Sequence, residues 1–264
     1  STGFNGSSSL TCTEEYDGSS WSTGGAAINI GNGRNISGTQ NAGLMAGRFF
    51  TPYHNETEEY NGSTWSASGT TPSVRAYGAM GGTQNDTVLS GGFSPTLLTS
   101  TITYDGVSWS ISKNAMYAFG IPTGAGTSSG LLASQLATPS AVNTVQEYVN
   151  VASTCIGAWS FGGNLITARA RTDATGVQNA GIFAGGYSVP SGAFLTCTEN
   201  YDGSSWTTGV AIPEQRYAGG IAGSQNSAIL AFGDGGSGAL NTSREFNGTS
   251  WSTGGNGNTA RSDM

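Results

Sequence analysis

Short apolar stretches alternate with polar, glycine-rich turns along the whole chain. Ala42 to Gly47, Thr87 to Gly92, Ala180 to Gly186 and Ala228 to Gly233 are each apolar and end in glycine. A matching turn phrase precedes each: Gly38-Thr-Gln-Asn41, Gly82-Thr-Gln-Asn85, Gly176-Val-Gln-Asn179 and Gly223-Ser-Gln-Asn226. Asparagine tolerates the left-handed backbone of a tight hairpin, so each phrase joins a small-residue strand to an apolar one. A second hairpin follows a variable stretch. Its strands, as in Thr13 to Tyr16 and Ser20 to Thr23, flank Asp-Gly or Asn-Gly, the strongest short hairpin signal.

That second hairpin is a repeated phrase. It reads Tyr-Asp-Gly-Ser-Ser-Trp at Tyr16–Trp21, and recurs at Tyr60–Trp65, Tyr104–Trp109, Tyr201–Trp206 and Phe246–Trp251, with a degenerate copy ending at Trp159. Successive tryptophans lie 44, 44, 50, 47 and 45 residues apart. A period of this size marks a repeat architecture whose single units cannot bury their own apolar faces. Each unit predicts a four-stranded antiparallel meander, the blade of a β-propeller. The chain is therefore expected to be all-β and one domain over 1–264, with about six blades. A partial blade spans 1–30 and full blades span 31–70, 71–112, 113–165, 166–210 and 211–255, with 256–264 starting a closing strand. The repeat is cut inside its motif at both ends, so one blade is split or incomplete, and a longer polypeptide is expected.

Composition narrows the class. Charged residues make up 9% and aromatics 10%, with 43 glycines; disordered chains instead have high charge and few aromatics. The net charge of −7 repels phosphate backbones, so no nucleic-acid partner is expected. No apolar run approaches the ~18 residues of a membrane helix, and no membrane insertion is expected. The three cysteines read as reduced thiols: Cys12 and Cys197 occupy the same repeat position, and Cys155 lies in the degenerate unit.

The order of residues resembles the kelch repeat. That family's blade has an arginine opening the innermost strand, a glycine doublet closing the second, a tyrosine in the third and a tryptophan in the fourth. Gly91-Gly92, Tyr104 and Trp109 match in order, as do Gly185-Gly186, Tyr201 and Trp206. The resemblance departs at Gly47-Arg48, in the tightened tyrosine-to-tryptophan step, and in the unit from Lys113 to Trp159. The wording Tyr-Asp-Gly-Ser-Ser-Trp-Ser-Thr-Gly-Gly also looks like kelch-like repeats of bacteriophage virion proteins, tail fibres and appendages especially. It implies a non-enzymatic structural protein of the virion, made in the host cytoplasm. Its partners would be other virion proteins and a host-surface glycan. The alternatives are a kelch-type interaction module and an extracellular lectin.

Candidate chemistry is sparse. His54 is the only histidine, which leaves a surface loop as its simplest role and supports neither a triad nor a metal set. No cofactor, metal or catalytic residue is expected. Trp21, Trp65, Trp109, Trp159, Trp206 and Trp251 are structural anchors, each lying against the neighbouring blade. The periodic arginines Arg34, Arg75, Arg216 and Arg261 would open the innermost strands and ring a channel mouth, suited to an anionic ligand. Equally periodic glutamates (Glu14, Glu58, Glu199, Glu245) offer ion pairs that lock blade to blade, and this pairing is the favoured role. Variable loops between second and third strands carry Phe49, Phe50, Tyr53, His54, Phe93, Tyr187 and Phe194. Aromatics on a rigid scaffold's loops suit sugar stacking or a small satellite core, in equal measure.

Overall fold

The computed structural model describes residues 3–118, 124–137, 140–151, 156–188 and 191–264, and among these no helix occurs. Five four-stranded antiparallel sheets follow one another, each running inner, second, third, outer. Blade I comprises Asn35–Thr39, Ala42–Phe49, Tyr53–Tyr60 and Trp65–Ser68. Blade II comprises Ala79–Thr83, Asp86–Ser90, Thr101–Tyr104 and Trp109–Ile111. Blade III comprises Gly124–Thr127, Gly130–Ala137, Ser140–Val151 and Ile156–Phe161. Blade IV comprises Asp173–Val177, Ala180–Ala184, Thr198–Tyr201 and Trp206–Thr208. Blade V comprises Gly220–Ser224, Ser227–Ala231, Ser243–Phe246 and Trp251–Thr253. The inner strands of consecutive blades pack side by side from I through V, around a central channel. The molecule is a β-propeller.

The expected blade number is corrected from about six to five. Between blades V and I stands only a hairpin, Glu14–Tyr16 with Trp21–Thr23, paired Tyr16 to Trp21. It supplies the third and outer strands of a blade whose inner pair is missing, so it forms a two-stranded sheet alone. Both chain ends are tied beside it. Phe4 and Ser262 exchange backbone hydrogen bonds of 2.8 Å in each direction, and Arg261 bridges Leu240.

The repeated phrase earns its regularity through local chemistry. In the Asp-Gly turn, Asp17 Oδ1 accepts the backbone N–H of Ser19 and Ser20, both at 2.8 Å, while Gly18 takes φ +98°. Asn61, Asp105, Asp202 and Asn247 do the same in their own turns. These bonds favour the ionised carboxylate and hold Asp17, Asp105 and Asp202 below the usual range.

Each turn delivers a tryptophan to the preceding blade. Trp109 Nε1 donates to Thr57 Oγ1 at 2.9 Å, Trp65 Nε1 to Thr13 Oγ1 at 2.9 Å, Trp206 Nε1 to the Gly163 carbonyl at 2.6 Å and Trp251 Nε1 to the Val210 carbonyl at 2.9 Å. Trp159 and Trp21 make the equivalent bonds to Thr101 Oγ1 and the Gly255 carbonyl. Each indole N–H is therefore bonded across to the preceding unit. Burying an indole removes ~150–250 Å² from water.

The blade-to-blade lock is made by tyrosine hydroxyls in place of the expected arginines, with Glu245 the one expected glutamate that takes part. Tyr16, Tyr60, Tyr104 and Tyr201 donate their hydroxyls to Glu245, Glu15, Glu59 and Glu147 of the preceding unit. Burial, aided by these carboxylates, pushes Tyr104 and Tyr201 up to about 12. The arginine–glutamate pairs stay within one unit: Arg34 with Glu58, Arg169 with Glu199 and Arg261 with Glu14. Those glutamates also cap backbone. Glu199 accepts the N–H of Ile166 at 2.7 Å and of Thr167 at 3.0 Å, fixing the segment that enters the inner strand.

The arginines do not ring the channel mouth. Arg75, Arg169, Arg216 and Arg261 are fully buried beneath it. Arg75 and Arg216 donate to carbonyls at the end of the second strand and the start of the third: Gly91 and Ser100, Phe232 and Thr242. Arg34 is out of step with this set. The bridge Asn32–Phe49 corresponds to Ala76–Phe93, which makes Gly31, not Arg34, the repeat equivalent of Arg75. The vacated volume is filled from the second strand: Arg48 reaches the Ile30 carbonyl at 2.8 Å, and its Cδ lies 3.0 Å from where a Cβ on Gly31 would stand. This is why the glycine doublet is broken at Gly47-Arg48.

Candidate functional site

The inner strands begin at one mouth of the channel, and those of blades I, II, IV and V are entered through residues in left-handed conformation, Gly33, Tyr77, Arg171 and Ala218, with Asp263 alike at the incomplete position, all with φ between 50° and 61°. Their backbones link in sequence from Arg171 on blade IV to Tyr77 on blade II. Tyr77 N donates to Gly33 O, Ala218 N to Arg171 O, Asp263 N to Ala218 O and Gly33 N to Asp263 O, at 2.8–3.0 Å. Asp263 thus closes this collar across the incomplete position. Four non-glycine residues in this conformation, all at equivalent places, mark a functional candidate.

The variable loops converge on the same mouth. Paired backbone bonds tie Phe49 to Asn32, Phe93 to Ala76, Tyr187 to Ala170 and Asp234 to Tyr217. Two small hairpins, Phe93–Ser94 with Thr96–Leu97 and Tyr187–Ser188 with Ala193–Phe194, stand above blades II and IV. Their aromatics form two groups. In the first, ring centroids lie 5.0 Å apart for Phe49 and Tyr53, 5.6 Å for Tyr53 and Phe93, and 6.5 Å for Phe49 and Tyr77. In the second, Phe194 lies 5.6 Å from Tyr187 and stacks on Tyr217 at 4.8 Å with 7° between planes. All are half-buried, and Phe50 is 45% exposed.

Between the groups sits one ion pair, Arg171 Nη1 to Asp263 Oδ1 at 3.2 Å, with the Arg171 guanidinium 6.0 Å from the Tyr217 ring centre. Burial, with Asp263 close by, pushes the Tyr77 hydroxyl up to about 12, so it is neutral and can donate. Burial also raises Asp263, against the pull of Arg171. Below the mouth a cavity of about 750 Å³ descends past Tyr77, Arg171 and Asp263 into the incomplete position.

His54 has both ring nitrogens occupied. Nε2 lies 2.9 Å from the Phe50 carbonyl and Nδ1 3.3 Å from Glu56, which also pairs with Arg48. Among the described residues, no three histidine, cysteine or acidic side chains are grouped to hold a metal. Cys12 and Cys197 are free thiols, and Cys155 lies outside the described residues.

All seven loop residues singled out from the sequence belong to this face. Tyr77, Arg171, Tyr217 and Asp263 were missed there. The signal was present: they lie at or next to the position two residues after the repeat's arginine or its glycine substitute, where Gly33, Tyr77, Arg171, Ala218 and Asp263 differ in size and charge while the flanking pattern persists.

The architecture and the mouth define a β-propeller with a decorated channel entrance. Among solved structures, the one titled "Structure of YjhT" is similar, with a TM-score of 0.75 and 12% identity, covering 95% of this chain and 98% of that one. At that identity the likeness concerns the fold. No known family's sequence model matches the chain, and no curated protein matches it.

Proposed function

We propose that this propeller is a non-enzymatic, kelch-like component of a phage virion, a tail fibre or appendage, that holds a host-surface glycan at its aromatic channel mouth. The observation that carries the reading is the pair of half-buried aromatic groups flanking the Arg171–Asp263 pair. Sugar rings offer apolar faces edged with hydroxyls. Stacked, partly exposed rings match the faces, and an ion pair together with loop carbonyls matches the hydroxyls. The rings are already packed on one another and held by the collar, so little side-chain entropy is lost on binding. The phage setting rests on the resemblance of the repeat wording.

Glycan-array binding by the purified chain tests the ligand. A signal lost in Phe50→Ala and Tyr187→Ala, with thermal stability retained, is the expected result; a signal unchanged in both variants overturns it. Antibodies against residues 1–264 should decorate intact particles if the setting is right.

A further inference from the structure

Five Asn-Gly pairs occur in the chain: Asn5-Gly6, Asn32-Gly33, Asn61-Gly62, Asn247-Gly248 and Asn256-Gly257. As dipeptides they are identical, but the fold divides them into two kinds.

In the first kind the side-chain carbonyl is the hub of a turn. Asn61 Oδ1 accepts the backbone N–H of Ser63 at 3.0 Å and of Thr64 at 2.9 Å, and the Ser63 hydroxyl at 3.0 Å. Asn247 Oδ1 accepts the N–H of Thr249 at 3.0 Å and of Ser250 at 2.9 Å, and the Thr249 hydroxyl at 2.9 Å. Asn5 Oδ1 is held likewise, by the N–H of Ser7 at 3.0 Å and of Ser8 at 2.8 Å. All three asparagines are exposed. The nitrogens that follow them are uncommitted, since Gly6, Gly62 and Gly248 donate to no acceptor among the described residues.

The second kind is the reverse. Gly33 N donates to the Asp263 carbonyl at 3.0 Å, and Gly257 N to the Asn241 carbonyl at 2.7 Å. Both glycines are buried, and a Cβ on them would stand 2.4 Å from the Tyr77 ring and 2.3 Å from the Phe232 ring.

We propose that Asn5, Asn61 and Asn247 convert to aspartate by self-catalysed deamidation in the folded chain, while Asn32 and Asn256 are spared. The glycine nitrogen gives its proton to hydroxide and attacks Cγ, forming a Cγ–N bond. Negative charge then builds on Oδ1, where the waiting N–H and hydroxyl donors stabilise it as an oxyanion. The Cγ–Nδ2 bond breaks, and Nδ2 takes a proton from water and leaves as ammonia. Water opens the resulting imide. Cleavage of the new Cγ–N bond gives aspartate, and cleavage of the original peptide bond gives isoaspartate. A buried glycine whose N–H is bonded can neither lose that proton nor swing to Cγ without local opening.

The aspartate product has a place prepared for it. Asp17, Asp105 and Asp202 build the same turn, accepting the two backbone N–H groups at 2.8–2.9 Å. An ionised acceptor strengthens such bonds. A Cβ on Gly62 would stand 3.2 Å from Asn41 Oδ1, and one on Gly248 3.2 Å from the Asn226 carbonyl. These two sites therefore lie beside the inner-hairpin turns, on the face opposite the aromatic mouth, and each conversion adds one negative charge there.

The folded 1–264 chain is incubated at mildly alkaline pH, digested in acid, and each Asn-Gly peptide is followed by mass spectrometry. A parallel sample is kept in urea. Folded, Asn5, Asn61 and Asn247 should convert about tenfold or more faster than Asn32 and Asn256, and in urea the five rates should converge. Ser63→Ala removes one donor to Asn61 Oδ1. It should slow Asn61 by about twofold to tenfold and leave Asn247, in the same molecule, unchanged. Equal rates at all five positions in the folded chain overturn the proposal. So does faster conversion of Asn61 in urea than in the folded chain, or indifference of Asn61 to Ser63→Ala. None of these readouts depends on the glycan site.

Discussion

Between blades I and II, Trp109 and Tyr104 reach back to Thr57 and Glu59 at the rim. Nearer the axis, Leu44 and Ala46 of blade I pack with Met80, Leu89 and Ile102 of blade II. Between blades V and I the rim is repeated twice, by Trp21 and Tyr16 on blade V and by Trp65 and Tyr60 on the intervening hairpin. Nearer the axis, Ile229 and Ile36 face a cleft. The rim contacts are therefore alike at both places, whereas apolar packing near the axis is complete only between blades I and II.

This contrast can be broken experimentally, most decisively by truncating equivalent side chains. Leu44→Ala should destabilise by about 2–5 kcal/mol, because it opens a cavity in a complete junction. Ile229→Ala, at the same repeat position beside the cleft, should cost about 1 kcal/mol or less. Urea titration of both compares them directly, and equal losses would mean that the cleft is filled in solution.

A smaller effect is expected at Asp173, buried at the complete junction between blades IV and V. Burial pushes its carboxyl up to about 7, against the pull of Arg216, and Oδ2 lacks a hydrogen-bond partner. A folded-state value above the ordinary carboxylate range means that its stability contribution is complete at low pH. That contribution is lost as pH rises from about 4 through about 7. Asn35 occupies the equivalent place in blade I, donating to the Ala46 carbonyl at 2.6 Å. Asp173→Asn should therefore be more stable than the native chain at pH 8, by about 1–3 kcal/mol, and the advantage should shrink towards pH 4. Melting temperatures across that range would show it.

The smallest effect tests the rim. Tyr201→Phe removes one hydroxyl bond between complete blades, and Tyr16→Phe removes its counterpart at the incomplete junction. Each should cost about 0.5–1.5 kcal/mol. A negligible cost for Tyr16→Phe alone would show that the hairpin does not hold blade V.

The aromatic hairpins were legible because their turn, tyrosine and tryptophan act locally and repeat in register. Blade number was harder. Six copies of the outer hairpin imply six units, while the described residues form five inner pairs. The arginines misled through Gly31: one substitution moved the repeat's cation to Arg48 on another strand, and Arg34 then mimicked the missing member. Arg34 and Arg261 pair with the periodic glutamates Glu58 and Glu14, whereas carbonyls at strand ends capture Arg75 and Arg216 below the surface. The mouth residues Tyr77, Arg171 and Asp263 escaped notice because variation at a constrained backbone position looks, in one sequence, like no pattern at all.

The tyrosine–tryptophan pairs have an optical consequence. Trp21, Trp65, Trp109, Trp159 and Trp206 each lie 4.8–5.3 Å from a tyrosine of their own unit. The N–H of the same indole is bonded across to the preceding unit. Coupled ultraviolet transitions in these chiral pairs make near-ultraviolet circular dichroism a direct gauge of blades meeting blades, with no label required. Far-ultraviolet spectra register only the strands, so the two wavelength ranges separate the folding of a unit from its seating in the circle.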